Sequence, residues 1–254
     1  MASFEDHFSE QAGEYAAYRP GYPDALFAYL ASLAPQRELA WDVGTGSGQA
    51  ARSLRRYFRR VYATDASAEQ IARSLPGEQV EFRVERAEDV GLPDSSVDLI
   101  TAATAVHWFD LEPFYRVVRR VGKPGGVLAV WTYHLPDIEP TVNDILLHYY
   151  AEILKDCWPE RFHYVDERYQ TLPFPFDEIQ RPLIRMHTDW NLDQVAGFLD
   201  SWSSTRRYLK VHGRHPLSLV WEALSQAWGD PKKPRTLRWP LFLRVGRIGS
   251  EAGE

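Results

Sequence analysis

The sequence predicts an α/β fold, a doubly wound and mostly parallel sheet covered by helices, with helical lid insertions in its second half. Three observations predict it. Short apolar runs at 39–43, 61–64, 80–84, 97–102 and 127–131 alternate with helical segments, which is the rhythm of βαβ units. The first run passes directly into three alternating glycines, Gly44, Gly46 and Gly48, and a helix follows. The second run ends on an acidic residue, Asp65, 21 residues after Gly44. Crossovers between such parallel strands are right-handed almost by rule.

The elements can be justified in order. Residues 1–34 read as helical, interrupted by a turn at 19–23 where Pro20, Gly21 and Pro23 cluster. From Asp24, the apolar residues Leu26, Phe27, Leu30 and Leu33 recur at helical spacing. The five runs and their intervening helices occupy 38–132. Beyond Trp131 the rhythm changes. Residues 140–156 carry a helical stripe of Ile145, Leu146, Tyr149, Ile153 and Leu154. Residues 157–180 are rich in proline and aromatics and show no period, and 181–190 reads as a strand. Asn191 suits the N-cap of a helix reaching about residue 202. Another helix is expected over 217–228, stopped by Gly229 and Pro231. The last strand is placed at 236–246.

Composition narrows the function classes. The chain has 254 residues and a formal net charge of −6, so a general nucleic-acid binder, which is usually basic, starts at a disadvantage. The opening MASFEDHFSE lacks the basic and apolar regions of a secretory signal. No run approaches the roughly 18 uninterrupted apolar residues of a membrane helix. One cysteine, Cys157, excludes an intrachain disulfide and a thiolate zinc site, which fits a cytoplasmic setting. Of eight histidines, the nearest pair, His212 and His215, flanks Gly213 without an acidic partner, so no metal is expected.

The glycine turn carries the sharpest chemistry. Glycines let the chain turn tightly and let a ligand approach the backbone. The helix behind them offers unpaired N–H groups. A dinucleotide fingerprint would put its third glycine at position 49, which is Gln49 here. Asp42, just before the turn, would repel a pyrophosphate and suit an ammonium. Asp65, one βα unit later, is placed to accept ribose hydroxyls, although an aspartate at a strand end is also an ordinary cap residue. Ala87-Glu88-Asp89 follows the third strand, and alone reads as a solvated loop.

Taken together, these segments resemble class I S-adenosylmethionine-dependent methyltransferases. The likeness extends to YAAYRPGYP at 15–23, AVHWFD at 105–110, KPGG at 123–126, Ser201-Trp202-Ser203 and Trp239-Pro240-Leu241. It points to a small-molecule branch similar to trans-aconitate methyltransferase. The resemblance implies a seven-stranded sheet with a reversed last strand and the cofactor S-adenosylmethionine across the strand C-termini. It implies that Asp42, Gly44, Thr45, Gly46 and Gly48 form the cofactor turn, that Asp65 binds ribose, and that Ala66 and Ala87 meet the adenine. Tyr18 and Arg19 would close over the methionine end. Two positions depart from the pattern. Arg86 stands where many relatives have Asp, which leaves Glu88 to hold the adenine amino group. Thr104 stands where relatives of this branch often have Gln. The chain then reads as one domain over 1–254: an N-terminal cap (1–37), a cofactor-binding core (38–132), a lid with substrate-side additions (133–235) and the last strand.

The resemblance leaves the acceptor open. His107, after the fourth strand, is the candidate general base; the plainer alternative is a helix cap or a backbone hydrogen bond. Trp108 is a pocket wall or core. In the lid, Trp202, Arg206, Arg207 and Tyr208 are candidates for a partly apolar, acidic acceptor. If 201–208 stays helical, Trp202 and Arg206 share a face; otherwise Trp202 is core and Arg206 is solvated. The basic stripes Arg52, Arg55, Arg56, Arg59, Arg60 and Arg116, Arg119, Arg120, Lys123 read as solvated outer faces. Two further readings stand beside a methyltransferase acting on a small molecule: a non-catalytic S-adenosylmethionine-binding protein and a nicotinamide oxidoreductase.

Overall fold

A computed structural model describes residues 18–75 and 77–249. The chain divides into two compact units. Among the described residues, the sheet unit comprises 22–133, 163–184 and 240–249, and the second unit comprises 18–21, 134–162 and 185–239.

The sheet unit opens with α1 (Asp24–Leu33), which buries Leu26, Phe27, Leu30 and Ala31. It continues through β1 (Leu39–Val43), α2 (Gln49–Leu54), β2 (Arg60–Asp65), α3 (Ala68–Ala72), β3 (Val80–Val84), β4 (Val97–Ala103), α4 (Leu111–Val121) and β5 (Gly122–Thr132). The helix α4 shows the physical logic most plainly. Phe114, Val117, Val118 and Val121 recur every three or four residues and are buried. Its arginines lie outside: Arg116 pairs with Glu112 and Arg120 with Asp94, and Arg119 donates to the Pro175 carbonyl. The other basic stripe is balanced likewise, through Arg56–Asp24, Arg59–Glu38 and Arg60–Glu81. Phe114 packs edge-on against Trp41 of β1, and Phe27 against Trp131 of β5.

The sheet order is β3-β2-β1-β4-β5-β9-β6, with β3, β2, β1, β4 and β5 mutually parallel. After β5 the chain returns to this sheet through α6 (His163–Asp166) and a two-residue strand, β6 (Asp177–Glu178). The last strand, β9 (Phe242–Arg247), runs antiparallel to both β5 and β6. Seven strands with one reversed are what the resemblance implied. The strand order changes direction between β1 and β4, so the carboxyl ends of these two strands border the crevice where such sheets bind ligands.

The second unit contains α5 (Pro140–His148), β7 (Arg185–Trp190), α7 (Leu192–Asp200), α8 (Ser203–His212), α9 (Trp221–Trp228) and β8 (Arg235–Pro240). Asn191 caps α7 as expected, in a full capping box with Gln194. The expected 140–156 helix ends at His148 and widens into a π-turn over Tyr149–Ile153. The expected 217–228 helix is a 3-10 turn over Pro216–Leu219 followed by α9. The single strand expected at 236–246 is two strands. β8 pairs with β7 in a separate two-stranded sheet, and β9 enters the main sheet. The change of partner falls at Pro240 and Leu241, between two segments of similar apolar character. Residues 163–184, read from sequence as part of the lid, belong to the sheet unit. Of the 15–23 segment, 15–17 lie outside the described residues.

Candidate cofactor site at the carboxyl ends of β1, β2 and β4

The turn after β1 holds three glycines at positive φ: Gly44 at 65°, Gly46 at 56° and Gly48 at 87°. Their reasons differ. A Cβ on Gly44 would lie 2.6 Å from the Ala105 Cβ and 3.0 Å from the Phe109 ring. One on Gly48 would lie 2.6 Å from the Phe82 ring. These two glycines let the turn nest against its neighbours. A Cβ on Gly46 would meet only the Gln70 Oε1, at 4.0 Å, so this residue faces open space. The Thr45 N–H donates to the Thr64 carbonyl at 2.9 Å, which ties the turn to β2.

Asp42 is fully buried at the end of β1. Its carboxylate accepts from the Thr45 hydroxyl at 2.5 Å and the Thr101 hydroxyl at 2.7 Å. Burial pushes its pKa up to about 6, against the opposing pull of those hydrogen bonds. Asp65 accepts from the Gly46 N–H at 2.8 Å and from the Ser67 N–H at 2.9 Å. The carboxylate expected to bind ribose therefore also shapes the glycine turn. Ala66 beside it is exposed and Ala87 after β3 is buried.

Glu88, the residue expected to hold the adenine amino group, has a hydrogen bond on each carboxylate oxygen. One of its oxygens accepts from the Asp110 N–H at 2.9 Å and the other from Arg86 Nε at 3.2 Å. Burial raises its pKa, but these bonds outweigh burial and leave it below the ordinary carboxylate value. Arg86, the departure from the family pattern, thus holds Glu88 in a local pair. Thr104, at the end of β4, has φ 53°, and its N–H donates to the Trp131 carbonyl at 2.7 Å. Among the described residues its hydroxyl oxygen is buried without a hydrogen-bond partner. An orphaned hydroxyl and a space-facing glycine at the same end of the sheet fit a polar, nucleoside-bearing ligand.

His107 lies in a short 3-10 turn, Val106–Trp108, and is 2% exposed. Its Nδ1 is 2.8 Å from the Tyr169 hydroxyl. Burial lowers its pKa to about 4, so it stays neutral at pH 7. Its neighbour Trp108 is 48% exposed, which excludes the core alternative.

In the second unit, the Tyr18 ring lies flat against Gly197, where a Cβ would come within 2.7 Å of it, and Arg19 donates to the Ser201 carbonyl at 3.3 Å. The pairing of Trp202 with Arg206 on one helical face is overturned. Trp202 is the extended N-cap of α8, at φ −76° and ψ 137°, and lies outside the helix. It is buried against Tyr149, Tyr150, Trp158 and Phe198. Tyr208 is also buried, with its ring 4.1 Å from that of His212. Arg206 and Arg207 are exposed. Sequence reasoning missed Tyr169, which lies in an aperiodic stretch and is separated by 62 positions from the histidine it contacts.

Known proteins agree with this geometry. A family profile described as a methyltransferase domain matches residues 41–130. A protein of Dictyostelium discoideum, provisionally named a methyltransferase, is 34% identical over 253 residues, covering 96% of this chain and 95% of its own. A Saccharomyces cerevisiae protein, provisionally named an S-adenosylmethionine-dependent methyltransferase, is 24% identical over 76% of this chain and 79% of its own. A solved structure from Anaeromyxobacter dehalogenans, provisionally described as a type II methyltransferase, superposes with a TM-score of 0.85 at 42% identity. It covers 92% of this chain and 99% of its own. These matches remove the nicotinamide oxidoreductase reading. With its seven-stranded sheet, glycine turn and strand-end aspartate, the chain belongs to the class I S-adenosylmethionine-dependent methyltransferases.

Proposed function

We propose that this methyltransferase acts on a small acceptor that ionises by itself, a carboxylate foremost. The observation that carries the proposal is the state of His107. A buried imidazole with a pKa of about 4, tied to Tyr169, is a poor proton acceptor at neutral pH. A carboxylate needs no base, because it is already anionic; an alcohol or an ammonium must first lose a proton.

When bound, S-adenosylmethionine supplies a methyl group on an electrophilic sulfonium. The chain has to hold the cofactor, align the acceptor in line and exclude water. In this reading Gly46 admits the methionine moiety and Asp42 attracts its ammonium. Asp65 accepts from the ribose and Ala87 offers its backbone N–H to the adenine. The exposed face of Trp108 receives the acceptor. The single cysteine suits a cytoplasmic enzyme.

The test is turnover with a labelled methyl donor against a panel of carboxylic acids, phenols and amines. The expected result is transfer to acids, with kcat/KM constant wherever the acid is fully ionised. Turnover confined to phenols or amines, rising through an ionisation of the enzyme, would overturn the carboxylate assignment.

A further inference from the structure

The geometry points to Tyr169 as a positioning residue: we propose that its hydroxyl locks His107 in the Nε2–H tautomer, so that the ring after β4 serves as a hydrogen-bond donor and never as a base. The inference rests on the base-free reading above and supplies its structural cause.

The first observation is backbone conformation. The segment after α6 ends with two consecutive left-handed residues, Arg168 at φ 57° and Tyr169 at φ 59°. A helix end of this kind usually uses glycine, because a side chain in the left-handed region is strained. Here the Tyr169 N–H reaches back to the Tyr164 carbonyl at 2.7 Å. The strain is held in place from outside. Arg244 of β9 donates to the Tyr169 carbonyl at 3.1 Å and to the Leu172 carbonyl at 2.5 Å, and pairs with Glu178 of β6. The Arg168 guanidinium rests 5.1 Å from the centre of the Phe242 ring. A glycine would make the same turn without strain but would lack the phenol. Strained residues that their surroundings over-determine point to a role for the side chain.

The second observation is where that phenol goes. The Tyr169 side chain is fully buried, and its hydroxyl lies 2.8 Å from His107 Nδ1. This is the one hydrogen bond that the Tyr169 hydroxyl makes among the described residues, and a buried O–H needs an acceptor, so the phenolic proton points to the Nδ1 lone pair. The imidazole proton then resides on Nε2. Burial drives the Tyr169 pKa well above its ordinary value, so that proton is not lost. The histidine ring in turn lies 4.9 Å from the ring of Trp108, the exposed face assigned to the acceptor. One buried tyrosine thereby sets both the protonation pattern and the ring orientation of the histidine that follows β4.

The test is long-range 1H–15N correlation of the histidine side chains in the full-length 15N-labelled protein at pH 7, with S-adenosylhomocysteine bound and without it. His107→Gln identifies the resonance. The expected spectrum has a protonated Nε2 and an unprotonated, hydrogen-bonded Nδ1. An Nδ1–H tautomer or an imidazolium in the wild-type protein overturns the proposal, and this outcome needs no variant to fold. Tyr169→Phe should populate both tautomers. It should also lower kcat for the best acidic acceptor about tenfold, the equivalent of one hydrogen bond, with cofactor affinity unchanged. A folded Tyr169→Phe protein with the wild-type tautomer and wild-type kcat also overturns it. If no acid turns over, the carboxylate assignment fails by itself, and the spectrum still decides the tautomer.

Discussion

Substituting the glycines of the β1 turn one at a time should separate packing from ligand space. Gly44 and Gly46 have similar positive φ, 65° and 56°, so an alanine at either incurs the left-handed penalty, roughly 1–2 kcal/mol. At Gly46 nothing more is added, because the nearest atom to the new Cβ is 4.0 Å away. At Gly44 the new Cβ lies 2.6 Å from Ala105 and 3.0 Å from Phe109, an overlap that forces one of them to move. Overpacking of this kind costs about 1–3 kcal/mol more, so Gly44→Ala should lose about 2–5 kcal/mol in all. Against an ordinary domain stability of about 5–15 kcal/mol, Gly46→Ala stays folded and Gly44→Ala is marginal. Urea unfolding measures the stability order, and calorimetric titration with S-adenosylhomocysteine measures binding. Gly46→Val should fold but lose about 100-fold or more in affinity, the equivalent of about 3 kcal/mol, because its side chain fills the space that the methionine moiety needs. Retained affinity in Gly46→Val, or a Gly44→Ala protein no less stable than Gly46→Ala, would refute the reasoning.

Asp65→Ala should weaken S-adenosylhomocysteine by about 1–3 kcal/mol, through loss of charge-assisted hydrogen bonds to ribose and of the bond that orients Gly46. Calorimetry on the folded variant checks this, and an unchanged affinity removes Asp65 from the site. Asp42 makes stability depend on pH in a defined direction. Its pKa is raised from 3.8 to about 6 by burial, so between those values the folded state binds more protons than the unfolded one. Stability contributed by this group therefore falls as pH rises from about 4 to about 6 and is level above, with a total of about 3 kcal/mol at most. Asp42→Asn should abolish that slope in denaturant midpoints taken at pH 4, 5, 6 and 7; an unaltered slope would place its origin elsewhere.

Much of the sheet unit was legible because its signals are local. The strands β1 and β3 fall where their apolar runs fall, and β2, β4 and β5 differ from theirs only at the ends. Asn191 declares α7 through a side chain that bonds only three residues away. The glycine turn was legible as a turn, but not the division of labour inside it. That Gly44 and Gly48 serve packing while Gly46 faces space depends on Ala105, Phe109 and Phe82, brought there by other strands. The local environment of Glu88 was likewise not legible, because the Asp110 N–H that one of its oxygens accepts comes from 22 positions away.

The sequence by itself determined the α/β class, the parallel core, the cofactor turn and the family, because each rests on periodicity or on residues adjacent along the chain. Only the tertiary structure decided the rest. It split the final strand segment between two sheets, recruited 163–184 to the sheet unit and buried Trp202 and Tyr208. It also buried His107 against Tyr169. A side chain's exposure and proton affinity are set by whatever distant segments pack over it, and an aperiodic stretch such as 157–180 gives no local sign of where it will pack. The acid–base character of the site was therefore written in contacts between the turn after β4 and the turn after α6, and in no motif of either one.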